Sequence, residues 1–158
     1  MGRGVGKISN CFSSASISGN QRVGGFIGDL MNGDVSNSYS LGDVTRLDSS
    51  YTTFGGFLGY STSSQLILNN YSVGKIVYLT GQSPTNNGFS SFNLTNGVNN
   101  FWDINTSQQT TSPAGAIGKT TSQMKTQGTF TDWDFTNIWA INPTINNGYP
   151  YLRDNPPQ

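Results

Sequence analysis

The stretch VGGFIGDLMNGDVSNSYSLGDVT, Val23 to Thr45, decides how the chain folds. Within it Val35-Ser-Asn37-Ser-Tyr39 alternates apolar or amide side chains with small hydroxyls. A period of two assigns β-strand rather than helix. Gly28, Asn32-Gly33-Asp34 and Gly42-Asp43 punctuate the stretch, so each run between them is short.

Working outward, the same pattern returns on both sides. Val35–Tyr39 has counterparts at Ile8-Ser-Asn10-Cys-Phe12, Ile67-Leu-Asn69-Asn-Tyr71 and Val98-Asn-Asn100-Phe-Trp102. Val23-Gly-Gly-Phe-Ile-Gly28 returns as Phe54-Gly-Gly-Phe-Leu-Gly59, and in decayed form around Asn87-Gly88-Phe89. A further apolar position follows the aromatic by five residues, at Ile17, Val44 and Ile76. The aromatics Phe12, Tyr39, Tyr71 and Trp102 are 27, 32 and 31 residues apart, and the Gly-Phe elements 31 and 32. A period of this size in short strands reads as a solenoid. The expected fold is all-β: a short right-handed parallel β-solenoid of three to four coils of ~31 residues, roughly triangular with three runs per coil.

Burial of Val35, Asn37 and Tyr39 on one face would put an asparagine inside every coil. A lone buried amide is costly, but coils stacked at about 4.8 Å let amides bond to one another. The predicted ladder is Asn10, Asn37, Asn69 and Asn100. In the fourth copy the register is open, since Phe101 with Asn99 fits as well as Trp102 with Asn100. The same alignment sets Lys7 over Asp34 and Asp43 over Lys75, favourable outward pairs on adjacent strands.

The phrases VGGFIGDLMNGDVSNSYSLGDVT and FGGFLGY…LILNNYSVGKI resemble the GLUG-motif repeats of bacterial and archaeal surface proteins, a group that includes streptococcal immunoglobulin-A-cleaving metallopeptidases. The segment from Asn99 to Arg153 resembles the terminal segment that often closes such arrays. Together these cover the chain from about Gly4 to Arg153, departing from the pattern over residues 77–97, where Pro84 intrudes. The resemblance implies a secreted accessory or adhesive module. It implies no catalytic residues, because the peptidase's zinc-binding helix belongs to another domain and no such motif occurs here.

Composition agrees with an ordered β-protein. Gly, Ser, Asn and Thr make up 75 of 158 residues, which suits either disorder or many strands and turns; 19 aromatics favour the second. Eight basic residues balance eight aspartates, so no net charge draws the chain to nucleic acid or an anionic membrane. Histidine and glutamate are absent, which removes the commonest general base and metal ligand. Cys11 has neither a disulfide partner nor a histidine to activate it. No run approaches the ~20 apolar residues of a membrane span, and the first fifteen residues hold no signal-peptide core. An extracellular or cell-surface location is expected, with export directed from elsewhere in a longer parent chain.

Two domains are expected, repeats over 1–107 and a capping segment over 108–158. Thr120-Thr-Ser-Gln123 fits a capping box opening one short helix that stops by Gly128. Trp133, Phe135, Ile138, Trp139, Ile141, Tyr149, Tyr151 and Leu152 then supply apolar groups to cover the solenoid's open end. No matching cap precedes the first repeat, which reads as an excised array or a docking surface.

The expected function is a non-catalytic structural or adhesive module of a surface protein or filament. Its partners would be other copies of itself, adjacent repeats of a longer chain, or a surface glycan or protein, with no cofactor. The alternative is a glycan- or protein-binding module using Tyr51, Tyr60 and Tyr78, which fall outside the repeat positions and offer aromatic faces. Asp132 and Asp134 flank Trp133 and would share one side of a strand. As a glycosidase-like pair, or with Asp103 as calcium ligands, they are weaker candidates.

Overall fold

A computed structural model describes residues 3–62 and 64–157. The chain winds as a parallel β-solenoid of about three turns with few, short helices. Ile8–Ser9, Val35–Ser36, Ile67–Leu68 and Gly97–Val98 stack in parallel, with Ile8 beside Val35, Val35 beside Ile67, and Ile67 beside Gly97. Next along the coil, Phe12–Ser13, Tyr39–Ser40, Tyr71–Ser72, Phe101–Asp103 and Ile117–Lys119 form a five-stranded sheet. Ile17–Gly19, Val44–Arg46 and Ile76–Tyr78 make a third sheet. Val23–Gly24 pairs with Phe54–Gly55, and Ile27–Asn32 lies between Arg3–Val5 and Leu58–Ser61.

A full coil such as 35–61 therefore has five short strands, where the repeat reads as three runs. The difference has a local cause. Asn10, Asn37, Asn69 and Asn99 stand at φ 55°, 49°, 57° and 54°, in the left-handed region that asparagine tolerates better than most side chains. One such residue breaks alternation, so Val35–Tyr39 is two strands meeting at a corner. Phe101 pairs with Tyr71 and Asn99 joins the corner asparagines, which settles the fourth register in favour of Phe101 over Trp102.

The corner also re-aims the side chains. Val35 and Ile67 pack inside the coils with Ile27, Leu30, Phe57, Leu58, Phe89 and Trp102. Tyr39, Tyr71 and Phe101 point the other way, into a second cluster with Met124, Phe130, Trp133, Trp139, Tyr149 and Leu152. Their strand neighbours face inward: Ser40 Oγ donates to Gly56 O at 2.8 Å, and Ser72 Oγ to Gly88 O at 3.2 Å. These bonds account for the Gly-Gly element. A Cβ on Gly56 would lie 2.4 Å from Gly88 O and 2.9 Å from Ser72 Oγ, so only glycine lets the two walls approach.

Each wall carries a ladder of rings. Phe12, Tyr39 and Tyr71 stack outside with centroids 5.1 and 4.9 Å apart, and Phe26, Phe57 and Phe89 stack on the Gly-Gly side at 4.9 and 4.8 Å. These spacings match adjacent β-strands, so ring contact and backbone pairing reinforce one register. A smaller cluster of Val23, Val44, Phe54 and Ile76 joins the third sheet to the Val23/Phe54 pair.

Beyond Ser107 the stack continues, since Ile117–Lys119 pairs with Phe101–Asp103 as a further rung. Among the described residues two short α-helices are present where the sequence predicts one. α1 (Ile104–Ser107) is capped by Asp103, whose carboxylate accepts from the Asn105 and Thr106 amides. α2 (Thr121–Met124) has the expected capping box of Thr120 and Gln123 and ends sooner, ahead of a 3-10 turn at Gln127–Thr129. The remaining chain does not sit only over the end of the stack. It runs back along the outer aromatic wall as a strap. Trp133 Nε1 donates to Asn99 O in the fourth copy, Tyr71 Oη donates to Pro150 O in the third, and Leu152 and Asn155 share a small hollow with Asn10 in the first. A two-stranded antiparallel pair, Trp139–Ala140 with Tyr151–Leu152, stiffens the strap, and Trp139 lies 6.0 Å from Tyr39 and 6.1 Å from Tyr71.

The charged positions align as predicted but do not form ion pairs. Ile8 beside Val35 and Val44 beside Ile76 bring Lys7 next to Asp34, and Asp43 next to Lys75, on neighbouring rungs. The aspartates instead accept main-chain bonds from the following coil: Asp34 Oδ1 from Leu66 N at 3.0 Å and Asp43 Oδ1 from Lys75 N at 2.8 Å. Among the described residues the one ion pair joins Arg22 and Asp29.

Candidate functional site

An asparagine ladder exists, displaced by one residue from the predicted one. Asn10 is exposed, Asn37 and Asn69 are half-buried corners, and the bond between the latter two is long at 3.4 Å. The ladder is the next residue of each copy, exposed at Cys11 and buried at Ser38, Asn70 and Asn100. Asn100 Oδ1 accepts from Asn70 N and Asn70 Nδ2, both at 3.0 Å; Asn70 Oδ1 accepts from Ser38 N at 2.9 Å; Ser38 Oγ accepts from Cys11 N at 3.2 Å. Asn100 is thus a rung of the ladder, and Asn10, Asn37 and Asn69 are corners. The left-handed corner moves burial onto the following residue. Doubled asparagines at 69–70 and 99–100 are the signal that marks both roles.

The three tyrosines are not brought together. Tyr51 lies in the 47–53 loop, 42% exposed. Tyr60 is half-buried beneath the Arg22 guanidinium, 4.6 Å from its ring centre. Tyr78 is half-buried against Phe54 and donates to Pro84 O. No ring contact joins any two of them among the described residues.

The carboxylates are dispersed too. Asp132 stands at φ 65° in a turn, so it and Asp134 do not share a strand face. Asp134 accepts from Asn137 Nδ2, Asn137 N and Thr136 N, bonds that hold its carboxyl below the usual aspartate range, with the Asn137 side chain contributing most. Asp103 is fully buried, caps α1, and accepts from Tyr149 Oη at 2.7 Å and Thr121 Oγ1 at 3.0 Å. No cluster of three potential metal-ligating side chains forms among the described residues. No helix of those residues is long and apolar enough to cross a membrane.

Sequence reasoning passed over Arg46. Its column in the third sheet reads Gly19, Arg46, Tyr78, so no repeat marks it. The residue is 3% exposed, with its guanidinium 4.8 Å from the Tyr78 ring centre and 5.4 Å from that of Phe54. Nη2 donates to Thr80 O at 2.8 Å and Gln82 O at 2.7 Å, while Nε is buried without an acceptor. Beside it lies a hollow of about 660 Å³ lined by Ser49, Thr52, Gln82, Pro84, Asn86 and Ser91 among others.

Stacked coils, inter-coil ring and amide ladders, and a lateral strap define a parallel β-solenoid repeat module. The chain carries a GLUG motif, matched over residues 19–45, which spans the Gly-Gly-Phe element, the Asn37 corner and Tyr39. The chain is also similar to a protein of Evansella cellulosilytica inferred to be a Gly-rich membrane protein, with 31% identity over 121 residues. That match covers 75% of this chain and 10% of the relative, so the chain spans about a tenth of that protein's length. No solved structure matches the chain.

Proposed function

We propose that this chain is a structural and adhesive module of an extracellular surface protein or filament, without catalytic activity, working as a stiff segment that spaces or presents neighbouring parts. The strap carries this reading. It meets all four copies of the repeat and covers a continuous aromatic wall, so the coils are held by an element separate from their own hydrogen bonds. Slender stacks resist bending only if successive coils cannot slide, and a lateral core of large rings opposes sliding. The small share of the Evansella relative that the chain matches supports a modular role inside a much longer surface protein. Its partners would be adjacent repeats, other copies of the chain, or a surface glycan or protein.

The test is to label intact cells of the source organism with antibodies against this chain, then compare attachment to host or abiotic surfaces after the segment is deleted from the parent. Labelling without permeabilisation and reduced attachment is the expected result. Labelling only after lysis would overturn the reading. Recognition through Tyr51, Tyr60 and Tyr78 as a single patch finds no support in their separate settings.

A further inference from the structure

The third coil departs from the repeat over residues 77–97, and that departure builds the hollow at Arg46. Local breaks in an otherwise consistent pattern are where function is expected. A buried cation is costly unless a counter-charge or hydrogen bonds replace its water. Two carbonyls and the Tyr78 face compensate Arg46 in part, yet no carboxylate pairs with it among the described residues. Asp48 is half-buried and accepts from Ser50 N at 2.8 Å, the bond that chiefly holds its carboxyl below the usual range, with the Arg46 charge a lesser cause and no ion pair formed. Nε is thus buried without an acceptor among the described residues, on a side chain that lines an open hollow.

We propose that this hollow binds the carboxylate of an acidic sugar, a uronate-type residue of a glycan, with Arg46 as its anchor. A guanidinium fork matches a planar carboxylate. The surrounding Ser49, Thr52, Gln82, Asn86 and Ser91 are neutral donors and acceptors suited to ring hydroxyls, and no acidic side chain lines the space. Its volume lies within the usual range of small-ligand sites. Apart from Arg46, the walls are loop residues without a strand edge, so an extended acidic peptide would find no ladder to join. The inference stands whether or not the module is adhesive.

The test is an amide NMR titration of the whole chain with sodium glucuronate, glucose, sodium sulfate and triglutamate in parallel. Glucuronate should shift the Gln82, Asn86 and Ser91 amides saturably, with glucose silent. Arg46→Met should abolish the response. Because Arg46 also ties down Thr80 and Gln82, a second variant, Gln82→Ala with Asn86→Ala, keeps those main-chain bonds and should weaken glucuronate about fivefold. Absence of saturable shifts, equal binding of sulfate, stronger binding of triglutamate, or an unchanged affinity in the double variant would each overturn the proposal.

Discussion

Asn69 and Asn70 are chemically identical neighbours that the fold uses in opposite ways, and replacing each in turn gives a sharp contrast. Asn70 is fully buried. Its Oδ1 accepts from Ser38 N, and its Nδ2 donates to Val35 O at 3.2 Å and to Asn100 Oδ1 at 3.0 Å. Asn70→Leu leaves the Ser38 amide and the Val35 carbonyl without the partners they have here, in a place water does not reach. Each stranded group costs about 1–3 kcal/mol, so the variant should lose roughly 2–6 kcal/mol, a large part of a small domain's stability. Asn69 is different. It stands at φ 57° with one marginal side-chain bond of 3.4 Å, so Asn69→Gly relieves left-handed strain as it loses that bond and should stay within about 1 kcal/mol of the parent. Urea unfolding followed by tyrosine and tryptophan fluorescence reads both values, provided the m-values agree. A tolerated Asn70→Leu together with a severe Asn69→Gly would show that the predicted ladder of Asn10, Asn37 and Asn69 is the real one and that the corners are misassigned.

Other outcomes follow from the same geometry. Gly56→Ala should lose at least ~2 kcal/mol or fail to fold, because its Cβ would meet Gly88 O of the next coil and Ser72 Oγ of the facing wall; a thermal melt indistinguishable from the parent would count against that close approach. Deleting residues 121–158 should expose the outer ring wall and leave the repeats aggregated, and a soluble, cooperatively melting remainder would show that the strap is dispensable. Burial raises the ionisation of Tyr39, Tyr71 and Tyr149 above the ordinary tyrosine value, with Asp103 adding to the effect at Tyr149. A raised folded-state value gives stability that is whole below about pH 10 and is lost as pH climbs toward the folded values. The tyrosinate absorbance of Tyr39, Tyr71 and Tyr149 should therefore appear together with unfolding above that pH, and titration of all three with the fold intact would contradict their burial.

The periodic part of this structure was legible because it is repeated. Val35, Ile67 and the Phe26–Phe57–Phe89 series keep their chemical type at each turn, and spacing alone gave their neighbours. The direction faced by Tyr39 and Tyr71 was not legible, for two physical reasons. A left-handed asparagine inside an alternating run leaves the alternation unchanged on paper but rotates everything after it. The groups that cover the outer rings also lie far along the chain, with 79 positions separating Tyr71 from Pro150, in a segment without the repeat period. Ser38 and Ser40 read as outward hydroxyls for the same reason, and both are buried. Arg46 was hidden because a residue that occurs once in its column leaves no periodic trace. The capping box at Thr120 was visible because it is a purely local device.

The central claim is that successive coils stack in parallel and that the strap seals their outer aromatic wall. Inter-residue NOEs in the isotope-labelled protein test both parts at once. The account predicts ring contacts running Phe12 to Tyr39 to Tyr71 on one wall and Phe26 to Phe57 to Phe89 on the other, with the Trp139 indole touching both Tyr39 and Tyr71. Main-chain contacts should place Val35 between Ile8 and Ile67 in parallel register. Antiparallel contacts among these strands, or a Trp139 ring remote from both tyrosines, would contradict it.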